Sequence, residues 1–333
     1  MFLPALDLYL DPSGEVDRAF ISHAHADHLG EKSAREVLGS RETLALLRAR
    51  DRPRTGATEL EWSKPVDCRL TAGTGTARLC VEPAGHILGA AQLVIDHPGG
   101  RFVYTGDYRT GAGRTHAAGA PILCDQLLVE STFALPIFAF PPRERTFAEL
   151  VAFCRAALDE GRTPVVLGYA LGKSQEIVHA LLEASLPVIA HGAVFRMCEA
   201  FETLGVPLGV ADGRLRPYAA ETSAAHQGLK GVLVAPPNAQ RMVRKVKRAS
   251  VAFVSGWALI DAMIDQRRAD AGFAISDHAD HDDLVTTVLA TGARDVAVTH
   301  GEAIALASIL TDLGVHAEAL ETPALDEAPG DGA

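Results

Sequence analysis

His23-Ala24-His25-Ala26-Asp27-His28 follows directly on the apolar run Ala19-Phe20-Ile21. The run reads as a buried strand, and the segment after it holds three imidazoles and a carboxylate within six residues. In extended backbone, residues two apart share a face, so His23 and His25 project to one side. Asp27 and His28 fall around the bend and face a second point. One short segment can therefore ligate two metal ions. Imidazole with carboxylate suits zinc, with iron and manganese as alternatives by ligand type. A lone His-x-His is common on ordinary surfaces and in cores, whereas the full pattern behind a strand is specific.

Two metals need more donors, and the chain offers three, each where an apolar run ends. Gly85-His86 follows Leu79-Cys80-Val81, Thr105-Gly106-Asp107 follows Arg101-Phe102-Val103-Tyr104, and Thr299-His300-Gly301 follows Asp295-Val296-Ala297-Val298. Strand ends that open into loops are the usual place for a site in a layered α/β protein. Any one of these could be a capping or solvent-facing polar residue. The three together point to a shared site.

This set resembles the metallo-β-lactamase superfamily. Asp11, closing Leu8-Tyr9-Leu10-Asp11, matches its first motif, an aspartate that orients the ligand loop. His23, His25, Asp27 and His28 match the second, His86 the third and Asp107 the fourth. The resemblance implies that His23, His25 and His86 hold one metal, that Asp27 and His28 hold the other, and that Asp107 bridges them. The superfamily spans thioester hydrolases, lactonases, β-lactamases and nucleases, so the fold alone does not give the substrate.

Further motifs narrow it. Val129-Glu130-Ser131-Thr132-Phe133 is similar to motif A of the β-CASP nucleases, with Glu130 as its acid. Ser276-Asp277-His278-Ala279-Asp280 is similar to their motif B, and Thr299-His300-Gly301-Glu302 to their motif C. That branch inserts a second domain between motifs A and B, and here the gap holds roughly 145 residues, room for one domain. The stretches Glu130 to Phe138, Tyr169 to Glu176, His191 to Val194 and Ser276 to Asp280 resemble the bacterial DNA-ligase-associated exonuclease family, and the resemblance runs from Leu8 to about Val315. It departs from the wider branch at motif B, where Asp277 stands in place of the more common alanine.

The resemblance implies an α/β chain with a metallo-β-lactamase αββα sandwich and an inserted β-CASP domain, a parallel sheet flanked by helices. Pro136 and Pro141-Pro142 mark the first boundary. The expected domains are 1–140 and 272–324 for the metallo-β-lactamase part and 141–271 for the insert. The remainder, 325–333, is rich in Pro, Gly, Asp and Glu and is expected to be disordered. Within the insert, helices over Phe147 to Leu158, Ser174 to Leu182 and Phe195 to Leu204 alternate with strands at Pro164 to Leu167 and Val188 to Ala190, the pattern of a parallel sheet. Val232 to Val234 and Val251 to Val254 read as its remaining strands. The first domain reads as strands joined by turns such as Gly73-Thr74-Gly75 and Pro98-Gly99-Gly100, with a helix at Arg41 to Arg50.

Composition fits a two-domain enzyme. At 333 residues and 48% hydrophobic content the chain can bury a sizeable core. No apolar run approaches the ~20 residues of a membrane span, and no basic segment precedes a long apolar core at the N-terminus. Five scattered cysteines without a Cys-x-x-Cys pair read as reduced thiols, so a cytoplasmic location is expected. The net charge of −11 argues against tight, extended duplex binding, since affinity for phosphate comes from Lys and Arg. Arg241, Arg244, Lys245, Lys247 and Arg248 form the one dense basic cluster, read as a solvated helical face or as a guide for a strand of nucleic acid.

The expected chemistry is phosphodiester hydrolysis with a water-derived nucleophile activated between two divalent ions. Asp27 can accept a hydrogen bond from that nucleophile. His278, its tautomer set by Glu130, would contact the scissile phosphate or protonate the leaving oxygen, and His300 would complete the second ligand set. In Gly168-Tyr169-Ala170-Leu171-Gly172-Lys173-Ser174, glycines between a strand and a helix allow close approach of an anion to Gly172, Lys173 and Ser174, and Tyr169 could stack on a base. Arg244 and Lys245 are candidate phosphate contacts. His278-Ala279-Asp280-His281 copies the letters of the first cluster without its His-x-His lead, so His281 is expected on the surface. The leading expectation is a DNA exonuclease on single-stranded ends in repair or end processing, with 5′-to-3′ polarity. A ribonuclease of the same branch and a small-molecule ester or lactone hydrolase are the alternatives. DNA is the expected partner, RNA the alternative, and a ligase or helicase is implied by the resemblance alone.

Overall fold

Strands β1 (Phe2–Leu3), β2 (Leu8–Leu10), β3 (Val16–Phe20), β4 (Ala34–Ser40) and β5 (Gly56–Leu60) lie side by side in that order. The pair β1–β2 is antiparallel and the pairs from β2 to β5 are parallel. Helix α1 (Arg41–Ala49) makes the crossover from β4 to β5 that a parallel pair requires. Its cap is Ser40, whose side chain accepts from the Thr43 amide, so one orphan N–H of the first turn is satisfied. The structure is a computed structural model and describes residues 1–26, 28, 34–50, 56–71, 75–218 and 229–320. Asp27, Gly73, Thr74 and the 325–333 tail lie outside the described residues.

Strands β6 (Val66–Arg69), β7 (Thr76–Pro83), β8 (Ala91–His97) and β9 (Gly100–Tyr104) form an antiparallel meander, and β10 (Gln126–Glu130) adds to β9 in parallel. The Pro98-Gly99-Gly100 turn closes the β8–β9 hairpin. Leu8, Leu10, Phe20, Leu38 and Leu60 of the first sheet share one apolar core with Leu79, Val81, Leu93, Ile95, Tyr104 and Leu128 of the second. Alternation explains this: in β7 every second residue, Ala77, Leu79 and Val81, is buried while Thr76 and Arg78 are exposed.

The chain then leaves this sheet and builds a second unit, Phe140–Asp277. Its elements are α2 (Arg143–Asp159), β11 (Thr163–Leu167), α3 (Lys173–Glu183), β12 (Val188–Ala190), α4 (Gly192–Thr203), β13 (Leu215–Pro217), β14 (Val232–Ala235), α5 (Gln240–Val243), β15 (Ala249–Val254), α6 (Asp261–Arg267) and β16 (Ala271–Phe273). The strand order is β13-β12-β14-β11-β15-β16, parallel throughout. Every residue of β11 and β14 is buried, as a sheet covered on both faces requires.

After the second unit come α7 (His281–Thr291), β17 (Asp295–Thr299), α8 (Ala303–Asp312) and β18 (His316–Ala319). β17 pairs with β10 in parallel and β18 pairs with β17, so the order is β18-β17-β10-β9-β8-β7-β6. The second unit is thus inserted between two adjacent strands of one sheet.

Two boundaries and one segment differ from expectation. The return falls after Asp277 and not near Gly272, because Ala271–Phe273 is still a strand of the second unit's sheet. Helix α2 begins at Arg143, ahead of Phe147, since its first turn is charged and carries no apolar periodicity. The basic cluster is not a helical face: α5 ends at Val243 and the rest is turn, with Val243 and Val246 buried and Arg241, Arg244, Lys245, Lys247 and Arg248 exposed. Leu93, fully buried in the shared core, tests the packing. Leu93→Ala is expected to cost about 2–5 kcal/mol, read from the shift of the urea denaturation midpoint of the first unit.

Candidate metal centre

Each ligand candidate sits where a strand of the first unit ends. His23, His25 and His28 follow β3, His86 follows β7, Asp107 follows β9, Glu130 closes β10 and His300 follows β17. The turns are sharp. Gly85 has φ +77°, and a Cβ there would stand 2.0 Å from the Arg109 carbonyl oxygen, so the His86 turn admits no side chain at that position. His300 itself is left-handed, φ 57°, and its carbonyl accepts from Ser131 Oγ, which also lies 3.1 Å from the Thr299 oxygen.

Nε2 of His23 and Nε2 of His86 lie 3.1 and 3.0 Å from Nδ1 of His25. Oδ2 of Asp107 lies 3.3 Å from His23 Nε2 and 3.5 Å from His86 Nε2. Ligand atoms bound at ~2.0 Å in a tetrahedron are about 3.3 Å apart, so this four-donor set fits a tetrahedral cation by spacing as well as by chemistry. The other oxygen of Asp107 faces His28 Nε2 at 3.4 Å, and the His300 ring stacks on His28 with centroids 5.3 Å apart. One carboxylate therefore faces two groups of imidazoles. These buried His and Asp residues can hold metal ions.

The hydrogen bonds behind the cluster set which ring nitrogens are bare. Asp11 accepts from the Ser22 amide at 2.8 Å, Ser22 Oγ at 2.5 Å, Tyr104 OH at 2.7 Å and His28 Nδ1 at 3.0 Å. With its proton given to Asp11, Ser22 Oγ accepts from His23 Nδ1 at 3.0 Å. His23 and His28 thus carry their protons on Nδ1 and turn unprotonated Nε2 atoms toward Asp107, the arrangement a metal site needs. The grouping of Asp11, His23 and His28 is therefore this orienting network and not a further site. Ser22 and Tyr104 gave no signal in the sequence beyond their adjacency to the motif and to the end of a strand.

Electrostatics agree. Burial, reinforced by His28, holds His23 well below its usual pKa, and burial with His28 also lowers His300, so both rings are neutral at neutral pH. Burial opposes ionisation of Asp107, but the neighbouring His28, His23 and His278 hold its carboxyl well below the usual carboxylate range. Burial and then the Asp11 charge push the Tyr104 phenol well above its usual value, which keeps it a donor.

Glu130, 1% exposed, receives His278 Nδ1 at 2.9 Å from both oxygens. It also accepts from the Tyr108 amide at 2.6 Å and Thr132 Oγ1 at 2.5 Å. His278 Nδ1 is thereby the protonated nitrogen, and Nε2 points toward Asp107 Oδ2, 3.9 Å away. His281 is not a free surface residue: it is half-buried and its Nδ1 lies 2.6 Å from the Ala134 carbonyl oxygen. Asp280 caps α7 through the Asp283 amide.

In the second unit, Lys173 and Ser174 were expected at a phosphate, but both are buried. Lys173 Nζ donates to Asp277 at 2.5 Å and Ser174 Oγ to the Gly168 carbonyl at 3.0 Å. A buried charge must be paired, and the expected contact is thereby pre-empted. Gly172, φ +85°, gives its N–H to Gln175 Oε1, Tyr169 is half-buried, and Arg244 and Lys245 are exposed.

Asp107→Ala is expected to lose most bound metal, measured by elemental analysis after dialysis. Asp11→Asn, which disturbs only the orienting network, is expected to weaken metal affinity about 10–100-fold in a chelator competition.

No family model matches the chain. A probable DNA ligase of Opitutus terrae is 33% identical over 325 residues, covering 96% of this chain and 30% of that protein. An RNase J-like protein of Methanocaldococcus jannaschii is 25% identical over 179 residues, 49% of this chain and 42% of that protein. Cleavage and polyadenylation specificity factor 73 of Drosophila melanogaster is 27% identical over 208 residues, 54% of this chain and 30% of that protein. The chain spans less than half the length of each of these relatives. The histidine and aspartate motifs gathered at strand ends, the insert between β10 and β17 and these likenesses are together consistent with the β-CASP branch of the metallo-β-lactamase family.

Proposed function

We propose that this protein is a metal-dependent phosphodiesterase that digests DNA from single-stranded ends, with 5′-to-3′ polarity, in repair or end processing. The observation that carries the proposal is the Glu130–His278 pair, whose Nε2 is directed at the Asp107 side of the imidazole cluster. In this assignment His23, His25 and His86 would hold one divalent ion, Asp27, His28 and His300 would hold the other, and Asp107 would serve both. Zinc suits the donor set, with manganese and iron as substitutes. Bound there, the ions supply Lewis acidity toward a phosphate and lower the pKa of a water.

The chain's own residues supply the rest. Asp27 accepts a hydrogen bond from the attacking water. Glu130 fixes the His278 tautomer, and His278 Nε2 hydrogen-bonds a phosphate oxygen or exchanges a proton with the leaving oxygen. The architecture that goes with this chemistry is the αββα sandwich, with the first unit, up to Ala139 and again from His278, as the metallo-β-lactamase part and the second unit as the β-CASP domain. Tyr169, Gly172, Arg244 and Lys245 are the proposed substrate contacts. Lys173 and Ser174, buried and bonded to Asp277 and to the Gly168 carbonyl, are not among these contacts. A net charge of −11 suits an enzyme that grips a few nucleotides at an end, where few phosphates must be neutralised.

DNA is favoured because the likeness that covers almost the whole chain is to a protein named a probable DNA ligase. A ligase or a helicase is proposed as partner on the family resemblance alone, and the cytoplasm is the proposed location. RNA is the second substrate, on the names of the RNase J-like relative and the polyadenylation factor. A small-ester or lactone hydrolase gives no role to the Glu130–His278 pair.

The deciding experiment is digestion of matched single-stranded DNA and RNA oligonucleotides, labelled at either end, by metal-loaded protein beside Asp107→Ala. Progressive shortening of DNA from the 5′ end, absent in the variant, is expected. Cleavage of RNA alone would transfer the assignment to a ribonuclease, and cleavage of neither would remove the nuclease assignment. His278→Ala is expected to keep its metal and to lose about 10²–10⁴-fold in kcat, the usual worth of a general acid or base.

A further inference from the structure

A buried charge cluster lies in the second unit, apart from the metal ligands. Arg143 opens α2, Lys173 opens α3, Glu176 lies in the same first turn of α3, and Asp277 ends the unit. Lys173, Glu176 and Asp277 are 2%, 0% and 6% exposed. Lys173 Nζ donates to Asp277 Oδ1 at 2.5 Å, and Arg143 Nη2 lies 3.5 Å from the same oxygen while also pairing with Glu176. Arg143 Nη1 donates to the Ser276 carbonyl oxygen at 2.6 Å. Two positive and two negative groups are thus withdrawn from water together. Such a network adds little net stability over apolar side chains of equal volume, because desolvation offsets attraction. Its distinctive contribution is directional: it fixes the backbone of Ser276 and Asp277.

The next residue is His278. On its far side, the Ala279 amide donates to the Tyr108 carbonyl at 2.7 Å, and Asp280 caps α7. The imidazole is therefore held by Glu130 at its tip and by anchored backbone on both flanks. Asp277 is also where motif B departs from alanine, and an acid is the residue that a buried Lys173 demands. We propose that Arg143, Lys173, Glu176 and Asp277 form a positioning device for His278, acting through the peptide that joins Asp277 to it. The inference rests on the catalytic role assigned to His278 above. It gives Lys173 a positioning role in place of the substrate contact expected from the sequence.

The test is the paired variant Lys173→Met/Asp277→Asn, which removes one charge of each sign and leaves Arg143 with Glu176. Metal content, melting temperature, kcat and KM on end-labelled single-stranded DNA are measured. The imidazole resonances of metal-loaded, 15N-histidine-labelled protein are recorded in parallel, with His278→Ala assigning the His278 signals. The expected result is retained metal, little change in KM, a fall in kcat of about 10²-fold, as for a reacting group displaced by about 1 Å, and loss of the sharp His278 Nδ1–H signal. Arg143→Lys keeps the charge but gives up the bond to Ser276, and the same changes are expected in smaller degree, so the idea stays testable if the paired variant does not fold. Wild-type kcat with an unchanged His278 signal in either folded variant overturns the proposal. Should wild-type protein cut no nucleic acid, the nuclease assignment fails separately, and the His278 resonance alone decides the positioning role.

Discussion

The Asp11 carboxylate, with its side chain 2% exposed, is the anchor on which the metal centre depends. A buried carboxylate is costly unless its oxygens are satisfied, and hydrogen bonds to a charged group contribute about 1.5–3 kcal/mol each. Here four donors from three parts of the chain answer it: the amide and hydroxyl of Ser22, the phenol of Tyr104 and the imidazole of His28. The same bonds fix the tautomers of His23 and His28, so that satisfying Asp11 and preparing the ligands are one event. Asp11 follows β2 in the first sheet and Tyr104 ends β9 in the second, and the core shared by those sheets holds the network together.

The Glu130–His278 pair repeats this logic with a different purpose. Glu130 is nearly inaccessible and is satisfied by a backbone amide, a hydroxyl and an imidazole. Its charge therefore has one imidazole partner, His278, whose Nε2 is directed toward Asp107. Glu130 closes β10 and pairs with Thr299 of β17, which brings motif A beside motif C although the second unit separates them in the chain. The second unit thus lies, along the chain, between two strands that are hydrogen-bonded neighbours in one sheet.

Much of this was legible in the sequence. The His23 to His28 cluster, His86, Asp107 and His300 announce themselves because ligands must be of few residue types and because each follows an apolar strand. The alternation of strand and helix in the second unit gives its parallel sheet, whose strands β11 and β14 are short, mostly apolar runs buried along their whole length. Less legible were the starts of α2 and α4, where polar or small residues fill the first turn, and the extent of the insert, because Ala271–Phe273 reads equally well as a strand of either sheet. Lys173 illustrates the limit: a lysine after a glycine turn signals a phosphate contact by type, yet its partner, Asp277, lies 104 positions away.

The sequence by itself determined which chemistry the chain can host, because metal ligation and acid–base work depend on residue type and on spacing along strands. It also determined the class of each sheet, because periodicity follows from which faces are buried. Tertiary structure alone decided which nitrogen of each histidine faces the ligand cluster, that Ser22 and Tyr104 serve Asp11, and that Lys173 belongs to a buried ion pair. Those outcomes depend on hydrogen bonds between residues far apart in the chain, and a hydrogen bond requires atoms to meet within about 3 Å, a condition that no spacing in one dimension can state.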